Sequence, residues 1–112
     1  MKAIGFSAPV LPGKTEEGRI FAKELNGPRA DGLKESRMAM GLDRESVWLM
    51  PTPMGDFITV VLEGDDPQES NRKFAESTSE FDMWFKKTAA DITGVDFGQP
   101  LPPIEELWDW RR

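Results

Sequence analysis

The stretch most suggestive of chemistry is APVLPGKTEEG, residues 8–18. A small residue and four spacers precede Gly-Lys-Thr at residues 13–15, which satisfies a relaxed phosphate-loop pattern. A working loop of this kind binds phosphate through successive backbone N–H groups, and Pro9 and Pro12 each lack that group. The usual scaffold is also a parallel sheet, whereas the central hairpin of this chain is predicted to be antiparallel. We therefore interpret the stretch as the start of a helix.

The chain contains no histidine, cysteine or tyrosine. Their absence excludes zinc sites built from thiolates or imidazoles and nucleophile pairs of the Ser-His or Cys-His type. It also removes the usual haem ligands except methionine. Any catalysis must use Asp, Glu, Lys, Arg, Ser, Thr, Asn or Trp side chains, and we predict neither a metal site nor a cofactor.

Two charged residues are the candidates for catalysis. Glu63 is a carboxylate at the end of an apolar strand, and burial there would suit it to act as a general base. The alternative is a carboxylate that is solvated or paired with an arginine. Arg37 is the candidate partner or anion anchor, because it is the one charge near the apolar stripe of a helix that contains Leu33 and Met40. The alternative for Arg37 is an exposed position on the helix surface.

The placement of Glu63 depends on a β-hairpin predicted for residues 46–63, where two β-rich runs flank a segment of turn composition. A two-residue loop at residues 54–55 fixes the register. A four-residue loop gives the same register, whereas a three-residue loop would turn every side chain to the other face. The predicted pairs are Thr52 with Phe57, Met50 with Thr59 and Trp48 with Val61.

The two faces of this hairpin differ in composition. One face is aliphatic and suits packing under helices. The other face mixes aromatic, methionine, hydroxyl and carboxylate side chains, and we call it the mixed face. The aliphatic face consists of Val47, Leu49, Ile58, Val60 and Leu62. The mixed face consists of Ser46, Trp48, Met50, Thr52, Phe57, Thr59, Val61 and Glu63.

The mixed face has the composition expected of a ligand pocket. Its candidate ligand-binding residues are Trp48, Met50, Phe57 and Thr59, with Glu63 beside them. The alternative is a dimer interface, where Trp and Met are also favoured. Both interpretations hold together if two sheets pack face to face in a dimer.

The bulk composition limits the class of protein. A length of 112 residues predicts a single domain over residues 1–112. The net charge of −6 argues against nucleic acid as a partner, because Lys and Arg drive that binding. No stretch approaches the roughly 20 apolar residues of a membrane helix, and the first residues lack the apolar run of a signal peptide. We therefore expect a cytoplasmic protein without a membrane partner.

The remaining elements follow from periodicity and punctuation. Helix-start signals precede residues 67 and 80, and proline and glycine separate the other segments. The predicted elements are a strand at 2–8, helices at 13–26 and 30–40, the hairpin at 46–63, helices opening at Asp66 and Ser79, and a last strand at 105–110. The order β-α-α-β-β-α-α-β predicts an α+β protein, a ferredoxin-like antiparallel sheet with helices on one face.

Three segments carry a family resemblance: PGKTEE after the first strand, ESVWLMPTPMGDFITVVLEGDDP, and EFDMWFKKTAADITGVDF. Together they resemble an uncharacterised bacterial family of the dimeric α/β-barrel superfamily, a group that includes cofactor-independent monooxygenases. The resemblance implies ferredoxin-like subunits that form a homodimer, with their sheets packed face to face around a cavity. Because this chain has no histidine, none of the catalytic residues of the known branches carries over.

Two hypotheses for function follow. The first is a protein that binds a small organic molecule, without chemistry, in a cavity between the sheet faces of a homodimer. The second is a cofactor-independent enzyme, similar to a monooxygenase or isomerase, that uses Glu63 as acid and base. In the second case Arg37 or Trp48 would position the substrate.

Overall fold

The computed structural model describes residues 2–112. Within that range three strands and four helices follow one another in the order β1, α1, α2, β2, β3, α3, α4. Their bounds are β1 Lys2–Pro9, α1 Thr15–Asn26, α2 Ala30–Ala39, β2 Leu42–Thr52, β3 Gly55–Gly64, α3 Pro67–Glu76 and α4 Glu80–Thr93. The predicted α+β class is confirmed.

The three strands form one antiparallel sheet in which β3 lies between β1 and β2. This order is compatible with a ferredoxin-like arrangement. Both β1 and β2 are edge strands of the described sheet, so each leaves one row of backbone groups without a neighbouring strand.

The β2–β3 hairpin differs from its predicted register by two residues. Residues 53–54 form the turn, so Thr52 lies opposite Gly55. Thr52 Oγ1 donates to the Gly55 carbonyl over 2.6 Å and accepts from the Met54 N–H over 3.1 Å, which closes the turn one residue early. Gly55 has φ +118°, a conformation that favours glycine. Because the shift is even, every side chain keeps its predicted face.

The predicted last strand is wrong, since residues 99–112 belong to neither a helix nor a strand. Its alternating pattern separates no apolar face from a polar one, because Leu107 shares a side with Asp109. Trp108 remains 83% exposed. Ordering this segment as a strand would cost backbone entropy that no burial offsets.

The helix signals in the second half of the chain are confirmed. Asp66 caps α3 by accepting from the Glu69 N–H, and Ser79 caps α4 by accepting from the Asp82 N–H. Gly94 ends α4 in the left-handed region, at φ +74°.

The core lies between the aliphatic face of the sheet and the helices. Its buried members are Met40, Leu42, Val60, Leu62 and Phe74. Helix α1 contributes no buried residue. The sheet is therefore well covered by the second half of the chain and less closely by α1.

Candidate functional site

A partly open cavity of about 360 Å³ lies between the aliphatic face of the sheet and helices α1, α2, α3 and α4. Strands β2 and β3 form its floor. Most of the large side chains in its walls are aliphatic or aromatic, including Phe21, Leu25, Leu33, Val47, Val60 and Phe85. Its size and lining are those of a small-molecule site.

The cavity exists because α1 packs on other helices and not on the sheet. The Phe21 ring contacts the rings of Trp84 and Phe85, with centroids 5.3 and 5.0 Å apart. A Cβ added at Gly18 would lie 3.7 Å from Ile92 Cγ2, an ordinary van der Waals distance, so α1 and α4 are neighbours at this position. These contacts hold α1 against α4 and leave space between α1 and the strands.

An ion pair between α2 and β2 forms one wall of the cavity. The Arg37 Nε and Nη2 groups donate to the two Glu45 oxygens over 3.1 and 3.2 Å. The two side chains are only 11% and 17% exposed. This two-bond geometry is the strong form of an Arg–carboxylate contact, and it neutralises both charges inside the fold.

The Arg37 guanidinium is held in place by three further groups. Its Nη1 donates to Ser36 Oγ over 2.9 Å, and Ser36 Oγ donates to Asp82 Oδ1 over 2.5 Å. Its carbon lies 4.9 Å from the ring centre of Phe74 and 4.5 Å from that of Phe85. Cation–π contacts of this kind orient the guanidinium as well as stabilise it.

Two other polar residues in the cavity wall have partners within the chain. Asn71 Oδ1 accepts from the Leu101 N–H over 2.8 Å. Thr93 Oγ1 donates to the Ala89 carbonyl over 2.8 Å and accepts from the Val95 N–H over 3.1 Å. These bonds leave the cavity with few polar groups that still seek a partner.

The candidate ligand-binding residues lie on the opposite face of the sheet. Trp48 pairs with Thr59, and Met50 pairs with Phe57, so these four side chains are neighbours on the mixed face. Trp48 and Met50 are each 49% exposed. The structure brings this group together as a surface, and Trp48, on the edge strand β2, is also part of the cavity lining.

Glu63 also lies on the mixed face, and it pairs with Arg44. The distance from Arg44 Nη1 to Glu63 Oε2 is 3.4 Å, and the side chains are 62% and 24% exposed. The pKa of Arg111 is raised, chiefly by its hydrogen bond to Asp109 with a smaller contribution from Glu63. The C-terminal tail thus brings a second arginine near this carboxylate.

The two candidate catalytic residues form no pair. Glu63 lies on the mixed face of the sheet, whereas Arg37 lies on α2, which covers the opposite face. The expected partnership between them is wrong, because Glu45 occupies the two-bond side of Arg37. The alternative of an exposed Arg37 is wrong as well, since that residue is buried. Pairing of Glu63 with an arginine, one of its two expected alternatives, is what the structure shows.

Sequence reasoning missed Glu45. It pairs with Leu62 across the strands, in phase with Val47 and Leu49 on the aliphatic face. The sequence did contain a signal for this pair. Glu45 alternates in phase with the aliphatic residues of β2, and the preceding helix places Arg37 near its apolar stripe. The cavity itself had no such signal, because its volume depends on how far α1 stands from the sheet.

The phosphate-loop-like stretch begins a helix, as predicted. Helix α1 starts at Thr15, whose Oγ1 donates to Asp56 Oδ2 over 2.6 Å. Lys14 Nζ lies 3.2 Å from a Glu17 oxygen. In a phosphate loop the lysine would bind phosphate and the threonine hydroxyl would bind Mg²⁺. Here both side chains contact carboxylates of the same chain instead.

None of the helices in residues 2–112 combines the length and apolar character needed to cross a bilayer. Over the same range, no three acidic side chains converge in a way that could hold a metal ion. A second, shallower hollow lies between the middle of β1 and residues 104–108.

Comparison with known proteins finds no matching family model, no similar curated protein and no similar solved structure. The family resemblance of the sequence therefore stays a prediction, and function has to be argued from the cavity and the faces of the sheet.

Proposed function

We propose that this protein binds a small, largely apolar organic molecule in the cavity between its helices and its sheet. The observation that carries the proposal is an apolar space of about 360 Å³ whose one buried ion pair is internally neutralised. An engineered apolar cavity of about 150 Å³ binds benzene. A space more than twice as large suits a molecule of about two fused rings.

The way into the cavity is proposed at the β2 edge. Val47 and Leu49 line the cavity and are 54% and 36% exposed. No strand lies beyond β2 in the described sheet. A ligand can therefore pass between this strand and α1 without breaking a ladder of backbone hydrogen bonds.

The test is binding of N-phenyl-1-naphthylamine, a neutral probe whose fluorescence rises in apolar surroundings. Ala22 is an exposed residue of α1 that also lines the open side of the cavity, so Ala22→Phe places a ring there. We expect this variant to bind the probe at least about ten-fold more weakly, because the new phenyl ring takes up space that the probe would otherwise fill. The matched control is Ala39→Phe, at an exposed helical alanine outside the cavity wall. Equal binding by both variants would show that the probe sits elsewhere.

The homodimer is part of the same proposal. Trp48 and Met50, half exposed on the mixed face, are the large apolar groups that a second copy would cover. The dimeric α/β barrel implied by the family resemblance packs sheets in this way. In such a dimer the mixed face would form the interface, and each cavity would remain within its own chain.

A further inference from the structure

Arg37 has unused hydrogen-bonding capacity at the cavity. A guanidinium carries five N–H donors. Two donate to Glu45 and one to Ser36. The other two have no protein acceptor among residues 2–112, although Arg37 is buried in the cavity wall.

The position of the guanidinium that carries these donors is fixed by its surroundings. The bonds to Glu45 hold one edge of the guanidinium, and the rings of Phe74 and Phe85 lie 4.9 and 4.5 Å from its carbon. Both rings also line the cavity. A donor that is held by other contacts before a ligand arrives loses little freedom on binding, so its hydrogen bond contributes more to affinity.

The charges around Arg37 disfavour an anionic ligand. The network contains two carboxylates, Glu45 and Asp82, joined through Ser36 to one guanidinium. Lys86, which also packs on Phe74, donates to three backbone carbonyls after α3 and at its end. An incoming carboxylate would compete with Glu45 for Arg37 and would meet like charge, whereas a neutral oxygen only accepts the free donors.

We propose that the ligand of this cavity is a neutral, ring-containing molecule with a carbonyl oxygen, and that Arg37 binds that oxygen. The inference rests on the proposed function and names its ligand class. Glu45 acts as a positioning residue that holds Arg37 and excludes anions. Phe74 and Phe85 place the guanidinium beside the apolar space that takes the rings.

Three naphthalenes of similar size test the ligand class by calorimetry or competition with the fluorescent probe. They are 2-acetylnaphthalene, 2-ethylnaphthalene and 2-naphthoate. The ketone should bind about ten-fold or more tightly than the hydrocarbon, because a hydrogen bond to a charged donor is worth at least that factor. The naphthoate should bind most weakly of the three.

The variant that tests Arg37 replaces both members of the ion pair, Arg37→Met with Glu45→Leu. Apolar replacement of a whole buried pair is usually tolerated by a fold, whereas removal of one partner is not. The variant should bind the ketone and the hydrocarbon equally. Its matched control is Arg72→Met with Glu69→Leu, an Arg–Glu pair on the surface of α3 and outside the cavity wall. The control should keep the ten-fold preference.

Each other outcome overturns the inference in a distinct way. Equal binding of ketone and hydrocarbon by the natural protein would refute the role of Arg37 and leave the apolar cavity as the site. If 2-naphthoate bound most tightly, the site would prefer anions, and the proposed neutral ligand class would be wrong. Binding of none of the naphthalenes, together with no effect of Ala22→Phe on the probe, would refute the proposed function itself.

Discussion

Two arginines on adjacent elements show how position sets the environment of an ion pair. Arg37 and Arg44 each pair with a glutamate of the sheet, at closest distances of 3.1 and 3.4 Å. The first pair lies under the helices and the second lies on the mixed face. Burial reduces solvent screening of the first pair, and removal of one member would leave an unpaired charge in the fold.

A pair of double-mutant cycles measures this difference. Arg37→Met and Glu45→Gln should show a coupling energy of about 1.5 kcal/mol or more. Arg44→Met and Glu63→Gln, which join β2 to β3 at the surface, should show less than about 1 kcal/mol. Urea unfolding of the six variants gives both values. Similar coupling energies for the two pairs would contradict the assignment of Arg37 and Glu45 to the interior.

The role of Glu63 as the acid–base residue of a cofactor-independent enzyme stays a prediction. Its neighbours on the mixed face are Ala3 and Arg44, which pair with it across the strands, and Val61 two residues along β3. Glu63→Gln separates the two hypotheses for function. A protein that only binds keeps its affinity for the probe, whereas an acid–base enzyme would lose about two or more orders of magnitude in turnover.

At the level of elements, local chemistry predicted most of the fold. Caps such as Asp66 and Ser79 were readable because each satisfies its own helix end within a few residues. The hairpin faces were readable because their period is two. The predicted position of the turn was wrong, because the sequence does not show that the Thr52 hydroxyl bonds to Met54 and Gly55 and so closes the turn at residues 53–54. The cavity and the Arg37–Glu45 pair depend on packing between distant elements, which no local pattern specifies.

The pH dependence of α3 follows from its surface charges. Arg72 donates to both Glu69 and Glu76, and its hydrogen bond is the main cause that lowers the pKa of Glu69 below the ordinary 4.5. A lowered pKa in the folded state stabilises α3 above pH 4.5, and this contribution is lost as the pH falls through the lowered value.

NMR titration of the Glu69 carboxyl should therefore give a midpoint below 4.5 in the natural protein. In Arg72→Gln the midpoint should return toward 4.5, and in the control Lys73→Gln it should move less, because Lys73 is the smallest of the causes. Added salt should reduce the shift, since the pair is on the surface. A midpoint that ignores Arg72→Gln would contradict this account.

For the whole molecule, the sheet separates two surfaces of different kind. Its aliphatic face lines the cavity under the helices, with Val47 and Leu49 exposed on the edge strand β2, whereas its mixed face presents Trp48 and Met50 to solvent. Large apolar side chains exposed together on a protein surface mark an interaction site. Association through the mixed face would bury them.

Light scattering at micromolar concentration should give twice the chain mass of 12.6 kDa. Met50→Glu should shift the protein toward the monomer, because it introduces a charge into the proposed interface. Met83→Glu is the matched control, since Met83 on α4 is 51% exposed and Met50 is 49% exposed. A monomer in the natural protein, or equal effects of the two substitutions, would rule out this interface.

Helix α1 rests on its neighbouring helices and leaves room above the strands, so the folded chain occupies more volume than its atoms fill. Unfolding removes that space, and the volume change of unfolding scales with the void that disappears. Hydrostatic pressure therefore acts against this fold through the position of α1. A molecule seated in the cavity fills the same volume, so occupancy and resistance to compression should increase together.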